Sequence, residues 1–193
     1  MRKKLQNQYF ILRHGQTTQQ IKRAEFTYNW PDKPPVRLTK KGEEQIKIAA
    51  KKLKKERINL IYSSDIFRTK QSAGIIAREL GLKIHFDKRL RDINLGVYHG
   101  GPKEALYKSF PDPRKRFYQR PKKGESWSDC RGRMLSFLRQ VDKKYKNKRI
   151  LIISHGDSLW LLEGAVKGLI NKDILDENFV KGNYINVGEL RKL

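Results

Sequence analysis

The sequence predicts a three-layer α/β/α sandwich around a mostly parallel central sheet. Three observations lead there. Short apolar runs alternate with segments of helical periodicity along the chain. Two of those runs, Tyr9-Phe10-Ile11-Leu12 and Ile150-Leu151-Ile152-Ile153, are apolar without alternation, as strands buried on both faces are. Both stop at a histidine followed by a glycine, His14-Gly15 and His155-Gly156. In open α/β sheets, ligands sit beyond the carboxyl ends of the strands.

Taken in order, Tyr9–Leu12 reads as a buried strand feeding the turn at Arg13-His14-Gly15. A helix follows from an N-cap at Thr39, with Glu43 and Glu44 in its early turns and Ile46, Ala49, Ala50 and Leu53 on one face. Its lysines, Lys47, Lys51, Lys54 and Lys55, fall mostly on the other face. Ile58–Tyr62 predicts a second strand closed by Ser63-Ser64-Asp65. The next helix runs from Arg68 to Leu80, with Thr69, Ala73, Ile76 and Ala77 in register and Gly81 as its stop. Lys83–Phe86 reads as a strand. Residues 102–124 hold Pro102, Pro111, Pro113 and Pro121, and this basic, proline-rich connection is expected to be irregular or short-helical. A long helix then spans Ser126–Tyr145, with Trp127, Cys130, Met134, Phe137, Leu138 and Val141 on its apolar face. The strand Arg149–Ser154 leads to the second histidine.

The whole chain constrains the reading further. Its 193 residues suit a single domain over 1–193. No internal repeat of about 20–50 residues is visible, and no apolar run reaches the roughly 18 residues of a membrane span. The basic start, Met1 to Gln8, is not followed by the apolar stretch of a signal peptide. The lone Cys130 cannot form an internal disulfide, which fits a reducing cytoplasm. A formal charge of +24 attracts anions in general, or reflects lysines spread over exposed positions, and by itself identifies no partner. A nucleic-acid ligand is not expected, since no helix-turn-helix, aromatic RNA-binding motif or zinc module is present. No histidine pair stands at i, i+4 and no cysteine pair exists, so neither a metal nor another cofactor is expected.

Five blocks carry the chemistry: Leu12-Arg13-His14-Gly15-Gln16-Thr17, Tyr62 to Ala73 with Arg68, Arg89 to Gly96 with Asp92, Gly124-Glu125-Ser126 followed by Arg133, and Ile153-Ser154-His155-Gly156. Their order and content resemble the phosphoglycerate-mutase-like histidine phosphatase superfamily, branch 1, from Tyr9 to about Val187. The resemblance implies that family's fold and a metal-independent phosphatase that hydrolyses a small phosphomonoester through a phosphohistidine on His14. It assigns catalysis to His14, Asp92, His155, Arg13 and Arg68. Substrate binding falls to Arg13, Gly15, Gln16, Thr17, Gln20, Arg68, His155 and Gly156.

Physical chemistry agrees with those residue types. A phosphoryl group in transfer spreads charge over three oxygens, which forked guanidinium groups and a helix N-terminus can meet. The leaving alkoxide needs a proton, and Asp92 is the acid by position, with Asp157 in reserve. Three departures stand out: Gln19-Gln20 where relatives often have Trp-Asn, Asp92 where many have Glu, and His99-Gly100 where they often have Glu-Gly. The chain is also shorter than typical mutases before the last block. That favours a phosphatase over an isomerase, with a repurposed anion- or nucleic-acid-binding module as the third alternative. A phosphorylated small molecule is the expected partner, no membrane is, and either a monomer or a homodimer fits. Plainer roles remain open: Arg68 capping its helix or pairing with Asp65, Asp92 as a turn residue, Glu125 and Ser126 as a helix cap, and the basic connection as a solvated loop.

Overall fold

The computed structural model describes residues 5–193, apart from the side chains of Asn178 and Phe179. Met1–Lys4, part of the basic start considered above, lie outside the described residues.

Five strands form one sheet in the order β3-β2-β4-β1-β5: β1 (Gln8–Arg13), β2 (Leu60–Ser63), β3 (Ile84–Phe86), β4 (Arg149–Ser154) and β5 (Leu190–Lys192). All neighbours are parallel except β5, which lies antiparallel to β1 at the edge. Successive side chains of a strand point to opposite faces, and the two central strands divide accordingly. Tyr9, Ile11, Ile150 and Ile152 join one core with Met134 and Phe137 of α5 (Trp127–Lys144) and Leu159 and Trp160 of α6 (Gly156–Val166). Phe10, Leu12, Leu151 and Ile153 join the other with Ile46 and Leu53 of α2 (Lys40–Lys55) and Ala73 and Ile76 of α3 (Phe67–Leu80). Each face of the sheet is covered by helices, giving the three layers.

Local signals account for the element ends. Thr39 Oγ1 accepts from the Gly42 amide and caps α2. Gly81 ends α3 with φ at 65°, a left-handed cap that favours glycine. Ser126 and Asp129 form a reciprocal capping box at the start of α5. The proline-rich connection holds α4 (Lys103–Ser109) and a 3-10 turn over Pro113–Phe117. Short helices also form over α1 (Thr18–Lys22) and α7 (Asn171–Leu175), the latter running into a π-helical turn over Asp176–Val180. Among the described residues no helix is long and apolar enough to cross a membrane.

Candidate active site

The strand order brings the two distant histidines together. β1 and β4 are adjacent and in register through Arg13 opposite Ser154, and the His14 amide donates to the Ser154 carbonyl at 3.1 Å. The next residues, His14 and His155, therefore project side by side, their rings 5.3 Å apart. From β2 on the other side of β4, Ser64 and the start of α3 contribute; the Ser64 amide donates to Ile153 O at 3.0 Å. Neither α3 nor α6 has a side-chain N-cap, so their positive dipole ends, and the first-turn amides not already bonded to the N-cap carbonyl, are left for an anion.

His14 is 1% exposed. Its Nδ1 lies 2.8 Å from Gly15 O, and a carbonyl only accepts, so Nδ1 carries the proton and Nε2 the lone pair. Arg68 Nε donates to that Nε2 at 3.3 Å. Burial, and then Arg68 and Arg13, hold the imidazole pKa well below 6.5. The ring is thus a neutral base at neutral pH. His155 is likewise held well below its usual value, first by burial and then by Arg68. Its Nε2 meets Ser64 Oγ at 2.9 Å, while Nδ1, buried and unpartnered among the described residues, stands 3.7 Å from Asp92 Oδ2.

Arg68, 2% exposed, bridges His14 and Asp92: besides His14 it donates to Asp92 Oδ2 at 3.1 Å. Its guanidinium carbon lies 3.9 Å from the centre of the Tyr28 ring, whose hydroxyl bonds Thr17 Oγ1 at 2.8 Å. No sequence motif marks Tyr28. Arg13 anchors one nitrogen on Ile185 O at 2.8 Å, and its buried Nε is unpartnered among the described residues. The Asp92 carboxyl is pushed above its usual range chiefly by burial, with Arg68 opposing and Asp157 reinforcing the rise.

The loop carrying Asp92 is fixed from behind. Arg133 donates to the carbonyls of Arg89 (2.6 Å), Arg91 (2.7 Å) and Asp92 (3.0 Å) and forks onto Glu125. Ser154 and Ser158 hydroxyls bind Leu90 O and Arg91 O at 2.6 and 2.8 Å. Asp65 pairs with Arg91, at 2.5 Å, rather than with Arg68. Asp157, the reserve acid, accepts from Tyr184 Oη at 2.6 Å.

Other residues of the opening block serve the scaffold. Gly15, Gln16, Thr17 and the fully buried His155 are not in the wall of the cavity beside His14, whereas Arg13, Gln20, Arg68 and Gly156 are. A Cβ on Gly15 would stand 2.3 Å from Gly42 O, so this glycine lets the turn press against α2 rather than against a ligand. Gln16 Oε1 accepts from Thr39 Oγ1 at 3.0 Å. Thr17 shares Gln20 Oε1 through its amide (3.0 Å) and hydroxyl (3.2 Å), leaving the Gln20 amide nitrogen at the cavity edge.

Comparison with known proteins identifies the family. Residues 9–180 match the histidine phosphatase superfamily (branch 1), and the chain belongs to that family. It is 34% identical to the probable phosphoglycerate mutase GpmB of Yersinia enterocolitica, over 84% of this chain and 75% of the relative. Its fold matches a mycobacterial glucosyl-3-phosphoglycerate phosphatase with a TM-score of 0.81 at 23% identity, covering 96% of this chain and 92% of the other. The alpha-ribazole phosphatase of Shigella flexneri matches with a TM-score of 0.77 at 19% identity, covering 96% and 89%. Members of this family are phosphatases or mutases, and the chain is read as an enzyme of that kind.

Proposed function

We propose that the protein is a metal-independent phosphomonoesterase in which His14 Nε2 forms a phosphohistidine and Asp92 is the general acid. Nε2 attacks phosphorus; the P–N bond forms as the P–O bond to the leaving group breaks, and the leaving oxygen takes the Asp92 proton. Water then attacks phosphorus and gives one proton to the Asp92 carboxylate. The P–N bond breaks, its electron pair returns to Nε2, and inorganic phosphate leaves. Arg13, Arg68, His155 Nδ1 and the starts of α3 and α6 supply donors for the three equatorial oxygens.

The observation that carries this reading is the His14 tautomer: Nδ1 is committed to Gly15 O, so the basic nitrogen is the one beside Arg68. Quenching a turnover mixture in alkali, where phosphohistidine survives, should yield a protein one phosphoryl group heavier. His14→Ala should lose that adduct and cut turnover by about four orders of magnitude or more. A folded His14→Ala protein with an unaltered rate refutes the assignment.

The likeness to a probable phosphoglycerate mutase favours a second reading, in which the phosphoryl group returns to the product. Incubation with 3-phosphoglycerate and a bisphosphoglycerate primer separates them. Isomerisation without release of free phosphate overturns the phosphatase.

A further inference from the structure

The cavity in front of His14 has a volume of 670 Å³. That lies within the roughly 300–1,000 Å³ that encloses drug-sized ligands, and it far exceeds what a three-carbon phosphate fills. Beyond the phosphoryl end, its wall includes Phe26, Tyr28, Trp30, Leu106, Tyr107 and Trp127. Two of these rings are open to solvent, Trp30 at 44% and Tyr107 at 57%. Exposed apolar side chains gathered in a concavity mark a place where a ligand is covered.

Trp30 is a prepared surface rather than a stray side chain. Asp65 grips Arg91 through both carboxylate oxygens, at 2.6 and 2.5 Å, and the Arg91 guanidinium carbon sits 5.0 Å from the centre of the Trp30 ring. A fixed cation thus backs the indole.

A second feature lies in the basic connection. Arg116 borders the same cavity with its side chain only 14% exposed, stacked 4.2 Å from the centre of the Trp127 ring. Its guanidinium makes no hydrogen bond among the described residues; its ion pair there is a long one, 3.8 Å to Asp157 Oδ2, the carboxylate whose Oδ1 accepts from Tyr184. A mostly buried guanidinium whose N–H groups make no hydrogen bond has donors to spare for an anion. Trp127 Nε1, beside it, is also buried and unpartnered among the described residues.

From these two features we infer that the substrate is a bulky phosphomonoester whose leaving group carries a flat ring, held by the aromatic wall, and an acidic group read by Arg116. The inference rests on the phosphatase reading and names the substrate class for that same site. The phosphoryl group occupies the end with His14, Arg13 and Arg68, and the ring and its acid fill the remaining room.

Three esters of primary alcohols test it, because their leaving oxygens are alike and only the remote part differs: propyl phosphate, 2-phenylethyl phosphate and its para-carboxylate analogue. Covering part of an aromatic ring should raise kcat/KM for the phenylethyl ester about 30-fold over the propyl ester. The carboxylate should add about tenfold more, the effect of a charge-assisted hydrogen bond. Trp30→Ala should shrink the first ratio, and Arg116→Gln should bring the second close to one. Equal rates for the propyl and phenylethyl esters overturn the ring, and a carboxylate preference that survives Arg116→Gln overturns the acid subsite. Inactivity towards all three esters and p-nitrophenyl phosphate would instead fell the phosphatase reading, and this inference with it.

Discussion

A histidine attacks phosphorus only through a nitrogen that bears no proton, and in His14 a single main-chain carbonyl selects which nitrogen that is. In the proposed mechanism the same residue sets one side of the pH profile. Its pKa is held below 6.5 by burial and two guanidinium groups, so the nucleophile is neutral well into the acid range and activity falls only where His14 finally takes a proton. In that mechanism Asp92 acts from its protonated form, and burial raises its pKa above the usual 3.8. Raising the pH through that value removes the acid and slows esters whose leaving group needs a proton. We expect kcat/KM for an alkyl phosphate to decline on this alkaline side. Asp92→Asn should flatten the decline and cost about 10²–10⁴-fold with the alkyl ester but much less with p-nitrophenyl phosphate. Equal losses on the two esters would remove Asp92 from the acid's role. Single residues also mark how far the sequence was legible. His14, Arg68, Asp92 and His155 were read from their blocks and meet at one point. The resemblance assigns Gly15 to substrate binding, and in the structure its missing Cβ makes room for Gly42. Tyr28 was not read at all, because an isolated tyrosine in an irregular stretch has no periodicity and its partner Arg68 is 40 positions away.

At the scale of elements, amphipathic patterns were readable and their absence was not. α2, α3 and α5 each present one apolar stripe to the sheet, and their courses follow the periodicity within a residue or two. α6 shows no such stripe, because eight of its eleven residues are buried; a helix enclosed on nearly all sides cannot be recognised by a polar face. β5 is three residues long, Leu-Arg-Lys, and its place follows from pairing with β1 rather than from any alternation. The block around Glu125 resembles a helix cap, and Ser126 with Asp129 is that cap. Glu125 does something else: it orients Arg133, which reaches from α5 to three successive parts of the Asp92 loop. Arg133 touches no reacting atom, so it is a positioning residue. Arg133→Ala should lower kcat about 10²-fold, since displacement of a catalytic group by about 1 Å costs that much. KM should change little, and the loss should be larger for alkyl esters than for p-nitrophenyl phosphate, as for loss of the acid itself. A uniform loss across both esters would reduce Arg133 to a purely structural role.

For the whole molecule the outstanding quantity is the charge, +24 from 44 basic and 20 acidic residues. Much of it stands on exposed lysines such as Lys41, Lys51, Lys52 and Lys55 of α2, where it contributes solubility and a long-range field rather than contacts. The cavity shares that sign: Arg23, Lys88, Lys103 and Arg116 line it, in addition to Arg13 and Arg68. A positive field over a cleft raises the local concentration of anions, and salt screens it over a Debye length of about 10 Å at 0.1 M. A phosphomonoester dianion should therefore be captured less well as salt rises, while the chemistry in the buried site is unchanged. Between about 50 and about 500 mM sodium chloride, kcat/KM should fall several-fold through KM, with kcat nearly constant. Chloride competing directly at the phosphoryl site would give the same trend, so the control is an ionic-strength series in which chloride is exchanged for a bulkier monovalent anion. A fall that follows ionic strength regardless of anion assigns the surplus charge to substrate capture. If kcat/KM is indifferent to ionic strength, the lysines serve the solubility of the chain and play no part in its encounter with substrate.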